Sequence, residues 1–302
     1  FLDNFENNKI KEIKKKNNLN LIISKSGNTL ETIVNSNVII NKKVKNIFIT
    51  ENNENYLRSL AIKLKSDIID HNNFIGGRYS VLSEVGMLPA ILMGLKVEKF
   101  RKFNELIKNK FFLNSIINSV SSTISLIKRN KLNSIILNYD EKSSDLFYWY
   151  QQLVAESLGK KGRGILPIIS KMPQDNHSLM QLYLDGTKNN FYTFFFTKEI
   201  LSQKIKNEGI LKSRDYLKHK NLQNILYNQF LATQSVFSKK KIPFRSFVVE
   251  KRDESSLGIL FTYFILETIL LGKVLKINPY DQPSVELIKK ETKKKLISNN
   301  YF

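Results

Sequence analysis

The chain has 302 residues, of which 42% are hydrophobic, so it is long and apolar enough for a globular protein of two domains. Its 48 Lys and Arg exceed its 27 Asp and Glu, which gives a formal net charge of +21. The absence of cysteine excludes disulfides and thiolate chemistry, and three histidines leave little scope for a soft-metal site. We see no apolar run approaching about 20 residues and no leader, and therefore expect a cytoplasmic protein without a membrane span.

The first third of the chain predicts strands and helices in alternation. Three short apolar runs are typical of buried parallel strands. They are residues 19–23, 46–50 and 68–69. Helical patterns follow the first two runs, from Thr29 and over 56–65, so this part reads as a series of strand, helix and strand. The pattern is then helical over 86–128, and we expect that stretch to connect two lobes.

A second alternating series follows in the rest of the chain. It begins with a predicted strand at 134–137, continues through a helix that ends near Leu158, and includes a strand at 191–196. The end is helical over 255–271 and again from Pro283, where proline suits the first turn of a helix. The sequence therefore predicts two lobes of the α/β class.

A polar turn that follows the first strand is the first candidate site. Ser24, Lys25, Ser26 and Thr29 bring hydroxyls and an ammonium to the start of a helix, where free backbone N–H groups favour a phosphate. A helix start capped by hydroxyls is the alternative interpretation. Neither a Walker A loop nor a dinucleotide fingerprint is present, so the sequence does not support nucleotide binding.

Three further clusters contain glycines or charged side chains. The two glycines at 76–77 permit a tight backbone that brings Arg78 close to a ligand, although a plain turn would also explain them. Gln152 and Glu156 are four residues apart and share one helix face, as solvated surface residues also do. Residues 159–164 look like a phosphate loop but precede a strand, so we interpret them as a surface turn.

Two more candidates lie nearer the C-terminus. His177 precedes a predicted helix and could exchange protons near neutral pH. A catalytic triad with Asp175 and Ser178 is not expected, because neighbours in sequence seldom have the required geometry. Lys289 lies about two turns beyond Gln282, and alone it would pass for a surface lysine.

In their order and in the identities of their residues, these clusters resemble the phosphoglucose isomerase family along nearly the whole chain. The stretches that carry the resemblance are 75–86, 278–286, 149–160 and 24–29. It implies two sugar-isomerase (SIS) lobes, each a parallel sheet flanked by helices, with the first lobe incomplete at its N-terminus. We expect the domains to be 1–128 and 129–302.

The resemblance also implies an activity and its catalytic residues. It implies an aldose–ketose isomerase that interconverts glucose 6-phosphate and fructose 6-phosphate without cofactor or metal. Glu156 would move a proton between C2 and C1, and Arg78 would stabilise the enediolate. His177 and Lys289 would assist the opening of the sugar ring.

The remaining roles concern the substrate and the partner. The phosphate would be bound by Ser24, Lys25, Ser26 and Thr29. Gln152 and Gln282 would hold hydroxyls or phosphate. The resemblance further implies a homodimer in which the partner subunit supplies the histidine. The sequence departs from the family at Asn176, where glutamine is usual, and at Ser284, where glycine is usual.

Three alternatives stay open. A non-catalytic regulator that binds sugar phosphates would not need Glu156, His177 and Lys289, and their presence together favours the enzyme. A dual phosphoglucose and phosphomannose isomerase would differ only in small features of the pocket. A nucleic-acid-binding protein is disfavoured because the lysine runs lack interleaved aromatic residues, although the positive field would attract anionic substrates.

Overall fold

The computed structural model describes residues 2–13, 19–41, 44–198, 202–206 and 210–298. The chain divides into two compact units, Phe1–Arg101 and Lys102–Phe302. Each unit contains one sheet in which all registered strand pairs are parallel. The predicted fold, a parallel sheet flanked by helices in each lobe, is therefore confirmed.

The sheet of the first unit has three strands in the order β1-β2-β3. Their bounds are β1 Asn20–Ile23, β2 Asn46–Glu51 and β3 Asp67–His71. All three predicted strands are present. The third is longer than predicted, because its exposed Asp67 and Asp70 interrupt the apolar run on which the prediction relied.

The helices of the first unit flank this sheet. They are α1 Asn7–Ile13, α2 Leu30–Ile39, α3 Tyr56–Lys63, α4 Glu84–Leu92 and α5 Val97–Phe100, with a 3-10 helix at Gly77–Leu82. Ile22 and Phe48 pack with Leu57 and Ala61 of α3 to form a small buried core. This core fixes the strand ends from which the candidate loops emerge.

The sheet of the second unit has four strands in the order β5-β4-β6-β7. Their bounds are β4 Asn133–Asn138, β5 Leu166–Lys171, β6 Asn190–Thr197 and β7 Phe244–Val249. The predicted strands correspond to β4 and β6, and every residue of β6 is buried. Two strands were not predicted: β5, which contains Pro167, and β7, in which Arg245 and Ser246 break the apolar pattern.

Seven helices are described in the second unit. They are α6 Phe103–Leu106, α7 Lys110–Lys128, α8 Ser144–Leu158, α9 Met180–Asp185, α10 Leu222–Lys239, α11 Glu254–Val274 and α12 Val285–Ser298. Helix α7, which the sequence analysis took as part of the connection, packs against α11, and α11 also packs against α8.

An aromatic cluster fills one side of this second sheet. Phe194 is fully buried and makes edge contacts with Phe230, Phe237 and Phe244 at ring-centroid distances of 5.0 to 5.8 Å. Such pairs contribute roughly 0.5–1.5 kcal/mol each beyond the area that they bury. Burial of the nearby Tyr139 raises its pKa to about 12. These ring contacts join β6 to β7 and to α10.

Helix α11 corrects one expectation from the sequence. Among the described residues it is long and apolar enough, by length and composition, to cross a membrane, although the sequence analysis expected no such stretch. Half of its apolar stretch is buried inside the protein. Its Glu267 is 2% exposed and ion-paired with Arg245 of β7. Because this charge pair and the packing on α7 and α8 cover its faces, α11 is a core helix of this unit.

Candidate active site

The predicted phosphate turn lies where β1 ends. The hydroxyl oxygens of Ser24 and Thr29 are 2.8 Å apart and close the turn, and Ser26 Oγ accepts a hydrogen bond from the backbone N–H of Asn28. Thr29 is the N-cap residue of α2, but its side chain makes no capping hydrogen bond. The first N–H groups of α2 are therefore not capped by this hydroxyl, which suits an anionic ligand.

Lys25 connects this turn to its neighbours. Its ammonium donates to the backbone oxygen of Asn73 at 2.9 Å and lies 3.2 Å from the carboxylate of Glu51. Gly27 has a φ of +62°, and a Cβ at this position would lie 1.8 Å from Asn55 Oδ1. The turn therefore needs glycine, and Lys25 attaches it to the loop that leads to Arg78.

Arg78 lies in the 3-10 helix Gly77–Leu82, directly before α4. The residue is 3% exposed, and its guanidinium carbon is 5.3 Å from the ring centroid of Tyr79. A Cβ on Gly86 of α4 would lie 2.0 Å from the carbonyl oxygen of Val81. The 3-10 helix and α4 are thus in direct backbone contact, which fixes the segment that carries the arginine.

A pair of residues that the sequence did not predict to be in contact holds both ends of this loop. His71, at the end of β3, is 2% exposed, and its Nδ1 contacts the carboxylate of Glu84, the first residue of α4. Its Nε2 donates to the carbonyl of Ile75 at 3.0 Å. The only signal in the sequence was a histidine after a strand and a glutamate opening a helix, which did not indicate contact.

Helix α8 carries two predicted residues on one face, as expected. Gln152 Nε2 donates to Glu156 Oε1 at 3.0 Å, which orients the carboxylate. The adjacent Gln151 donates to the backbone oxygen of Pro167, the second residue of β5, at 2.8 Å. The C-terminal half of α8 therefore lies at the amino end of the strands.

His177 lies in the turn that follows β5, just before α9. The carboxylate of Asp175 holds this turn by accepting hydrogen bonds from Ser170 Oγ, the Lys171 backbone N–H and Ser178 Oγ, at 2.7–2.8 Å. Ser178 thus bonds directly to Asp175 and not through the imidazole. This is not the order of contacts in a catalytic triad.

Glu156 and His177 consequently lie at opposite edges of the same sheet. Lys171, the last residue of β5, is 3.0 Å from Glu141 near the start of α8, whereas Gln151 pairs with the beginning of the strand. A strand of six residues spans about 20 Å. One copy of the second unit therefore does not bring these two side chains to one small ligand.

The segment between α11 and α12 lies near the end of α8. Lys160 Nζ donates to the carbonyl of Asn278 and to Asp281 Oδ1, at 2.5 and 2.6 Å. Gln282 follows directly, so this turn is bound to the same edge as Glu156. Lys289 of α12 is ion-paired with Glu286 at 2.7 Å, and its side chain is 57% exposed.

A largely buried ion pair at the carboxyl edge involves Asp140. Burial acts to raise its pKa, but hydrogen bonds from Arg252 and Ser143 and the charge of Arg252 outweigh that effect, so the pKa lies below its usual value. Both carboxylate oxygens bind Arg252 Nη2, at 2.6 and 2.7 Å. In the ranges that the structure describes, no group of three His, Asp or Glu residues could hold a metal ion.

Comparison with known proteins places the chain in a family. The family model described as phosphoglucose isomerase matches residues 3–166. A glucose-6-phosphate isomerase of Methanocaldococcus jannaschii is 33% identical over 312 residues, covering 96% of this chain and 75% of the relative. The chain belongs to the phosphoglucose isomerase family. A probable glucose-6-phosphate isomerase of Methanococcus maripaludis is 32% identical, covering 89% of this chain and 63% of the relative.

Two solved structures agree with this family's fold. A hypothetical protein from Thermus thermophilus matches with a TM-score of 0.87 at 24% identity, over 98% of this chain and 76% of that one. A glucose-6-phosphate isomerase from Chlamydia trachomatis matches with a TM-score of 0.78 at 18% identity, over 100% and 64%. The family is one of aldose–ketose isomerases that act on hexose phosphates. The family match includes Glu156 and ends before His177.

Proposed function

We propose that this chain catalyses the interconversion of glucose 6-phosphate and fructose 6-phosphate, a step of glycolysis and gluconeogenesis, in the cytoplasm. Membership of the phosphoglucose isomerase family carries this proposal. The positions of chemically suitable side chains support it, because Glu156 is oriented by Gln152 and Arg78 is held in a fixed segment. The chain spans 63–75% of the two relatives named above, so the activity must be tested on this chain itself.

In the proposed reaction, Glu156 is the base. Its carboxylate removes the proton from C2 of the open-chain aldose, and the electron pair of that C–H bond forms a C1–C2 double bond while negative charge develops on O1. The same proton returns to C1 and the hydroxyl proton of C2 passes to O1, which gives the ketose. Arg78 stays charged throughout, so it stabilises the oxyanion without reorganisation.

The other predicted residues bind the substrate or open its ring. The phosphate is bound by Ser24, Lys25, Ser26, Thr29 and the N–H groups of α2. Ring opening requires a proton to leave the anomeric hydroxyl and another to reach the ring oxygen, which are the roles proposed for His177 and Lys289. Gln152 and Gln282 hold hydroxyls or phosphate.

We further propose that two copies of the chain share each active site. The support comes from the second unit, in which Glu156 lies at the amino edge of the sheet and His177 at the carboxyl edge. The strand β5, which runs from one edge to the other, is about 20 Å long, and this exceeds the size of a hexose. If both residues act on one sugar, the histidine must come from a second copy, as expected of a symmetric homodimer.

Replacement of Glu156 by Gln tests the catalytic role. We expect Glu156→Gln to lower kcat for fructose 6-phosphate by about 10²- to 10⁴-fold, because the amide cannot accept the proton, while binding of the sugar phosphate is retained. A coupled assay measures kcat, and calorimetry measures binding. Glu105→Gln, at an exposed glutamate of α6, is the matched control.

Three outcomes would count against the proposal. They are an inactive wild-type chain, a Glu156→Gln variant with normal kcat, and a variant that loses binding but keeps its rate at saturation. A parallel assay with mannose 6-phosphate separates the single from the dual isomerase. Repeating the assay with a chelator tests the expectation that no metal takes part.

A further inference from the structure

The loop that follows α8, residues 159–164, has side-chain contacts that an ordinary surface turn would not require. Lys161, Gly162 and Gly164 all have positive φ angles, of +55°, +66° and +120°, and the backbone N–H of Arg163 bonds to the carbonyl of Lys160 at 2.9 Å. The backbone is therefore folded into a tight turn. Its exposed position agrees with the interpretation from the sequence, but two of its three cationic side chains, Lys160 and Arg163, reach across to the C-terminal segment.

Lys160 is the more buried of these cations. Its side chain is only 11% exposed, whereas the paired Lys240 elsewhere in this unit is 43% exposed. Its ammonium is satisfied by the Asn278 carbonyl at 2.5 Å and by Asp281 Oδ1 at 2.6 Å. A largely buried ammonium needs such partners, so the geometry of the turn and the position of Lys160 depend on each other.

The turn that Lys160 binds is itself closed by hydrogen bonds. Asn278 Nδ2 donates to the second carboxylate oxygen of Asp281 at 3.0 Å, and Asn278 Oδ1 accepts from the Tyr280 backbone N–H at 3.1 Å. A Cβ on Gly272 would lie 3.0 Å from Pro279 Cβ, so α11 packs tightly against the same turn. The turn is therefore closed by its own hydrogen bonds to Asp281 and packed against α11.

Arg163 binds the chain on the other side of this turn. Its Nη1 donates to the carbonyl of Leu275, the C-cap residue of α11, at 2.8 Å. A cation at this end of a helix is favoured by the helix dipole. The loop after α8 thus holds both the last carbonyl groups of α11 and the turn that comes next.

We propose that Lys160 is a positioning residue that acts through Asp281 to set the place of Gln282 relative to Glu156. Lys160 is four residues after Glu156, and Asp281 is bonded to Gln282. The contact therefore connects the helix of the proposed base to the segment of a proposed substrate ligand, within one unit. This inference rests on the proposed function.

The central variant is Lys160→Met, which keeps the unbranched apolar stem of the side chain and removes the ammonium. We expect kcat/KM for fructose 6-phosphate to fall by about 10- to 100-fold, the usual effect of losing a charge-assisted hydrogen bond. Lys160→Arg should restore most of the rate because it keeps the ion pair. The matched control is Lys240→Met, which removes an exposed ion pair in which Lys240 Nζ lies 2.7 Å from Asp185 Oδ1. This variant should change kcat/KM by less than about twofold.

Two further measurements separate positioning from general stability. Hydrogen exchange measured by mass spectrometry should show faster exchange of residues 276–284 in Lys160→Met than in the wild type or in Lys240→Met. In a double-mutant cycle, Lys160→Met should cause little additional loss in a Gln282→Ala background, because both changes remove the same interaction with substrate.

The inference is overturned by unchanged exchange over 276–284, by losses that multiply fully in the double mutant, or by an unchanged kcat/KM in Lys160→Met. These results are distinct from failure of the proposed function. An inactive wild-type chain contradicts the proposed isomerase activity itself. An active wild type with an equally active Lys160→Met contradicts only the positioning role.

Discussion

Asp140 illustrates how single residues fix the carboxyl edge of the second sheet. It follows β4, is 8% exposed, and is bound by Arg252 and by Ser143 Oγ, the latter at 2.5 Å. These partners stabilise its charged form, so its pKa in the folded protein lies below the ordinary value of 3.8. A carboxylate of this kind contributes stability that depends on pH.

We expect Asp140→Asn to lower the free energy of unfolding by about 2 kcal/mol at pH 7, because it removes the charge-assisted hydrogen bonds that Arg252 donates. Since the folded-state pKa is depressed, the stabilisation is fully present above pH 3.8 and is lost as pH falls through the folded-state value. Urea unfolding at pH 7, 5 and 3 should show the two proteins converging in acid. A difference in unfolding free energy that is as large at pH 3 as at pH 5 would contradict this account, and Asp185→Asn serves as an exposed control.

For single residues, the sequence indicates which side chains are chemically suitable for a site, but seldom which of them are in contact. Gln152 and Glu156 could be paired in advance because helical geometry places residues four apart on one face. His71 and Glu84 could not, since they are 13 residues apart and their contact depends on how β3 and α4 pack. Lys160 and Asp281 are 121 residues apart, so the local sequence predicts a surface turn but does not indicate their ion pair.

Among the elements, the contact of the 3-10 helix Gly77–Leu82 with α4 is the most restrictive. Gly86 has no room for a side chain, because the nearest atom to an added Cβ is a backbone oxygen that cannot rotate away. Backbone would have to move to accept a methyl group at this position. The segment that would move carries Arg78.

Gly86→Ala should therefore destabilise the protein by roughly 1–3 kcal/mol and lower kcat at least about tenfold, since the displaced 3-10 helix carries the proposed oxyanion ligand. Thermal unfolding and the coupled assay measure both effects. The comparison is Gly77→Ala, where an added Cβ meets nothing within 4 Å and Tm should not change. A Gly86→Ala protein with wild-type Tm and kcat would show that the contact is not restrictive.

In the second unit, strand prediction succeeded for the largely buried β4 and β6 and failed for β5 and β7, whose exposure is mixed. Every residue of β6 is buried, so its sequence is a continuous apolar run that is easily recognised. Among the described strands, β7 pairs with β6 alone, and its exposure alternates. Its Arg245 is paired with Glu267 of α11, a contact that no local pattern reveals. Helix α11 was predicted over 255–271 and extends over Glu254–Val274.

For the whole molecule, the important feature is that the proposed base and the proposed ring-opening histidine lie at opposite edges of one sheet. Mixing two inactive variants, Glu156→Gln and His177→Ala, should restore activity. Half of the dimers that form at random are hybrids, and one of the two sites in each hybrid has both native residues. We expect about a quarter of the wild-type activity with ring-closed substrate.

Reversible dissociation and reassociation of the two purified variants, followed by the coupled assay, measures this recovery. Reassociating each variant alone is the control, and neither should gain activity. A mixture no more active than the average of its two parents would contradict a site shared between copies.

In the proposed dimer, the sheet of the second unit would keep the Glu156 and His177 of one copy apart. Each copy would contribute Glu156, at one edge of this sheet, to one active site and His177, at the other edge, to the second active site. In the proposed dimer, the length of β5 would set the distance between the two sugars to which one copy contributes residues. An insertion or deletion of residues within β5 would change that length, and both sites of the proposed dimer would be affected equally.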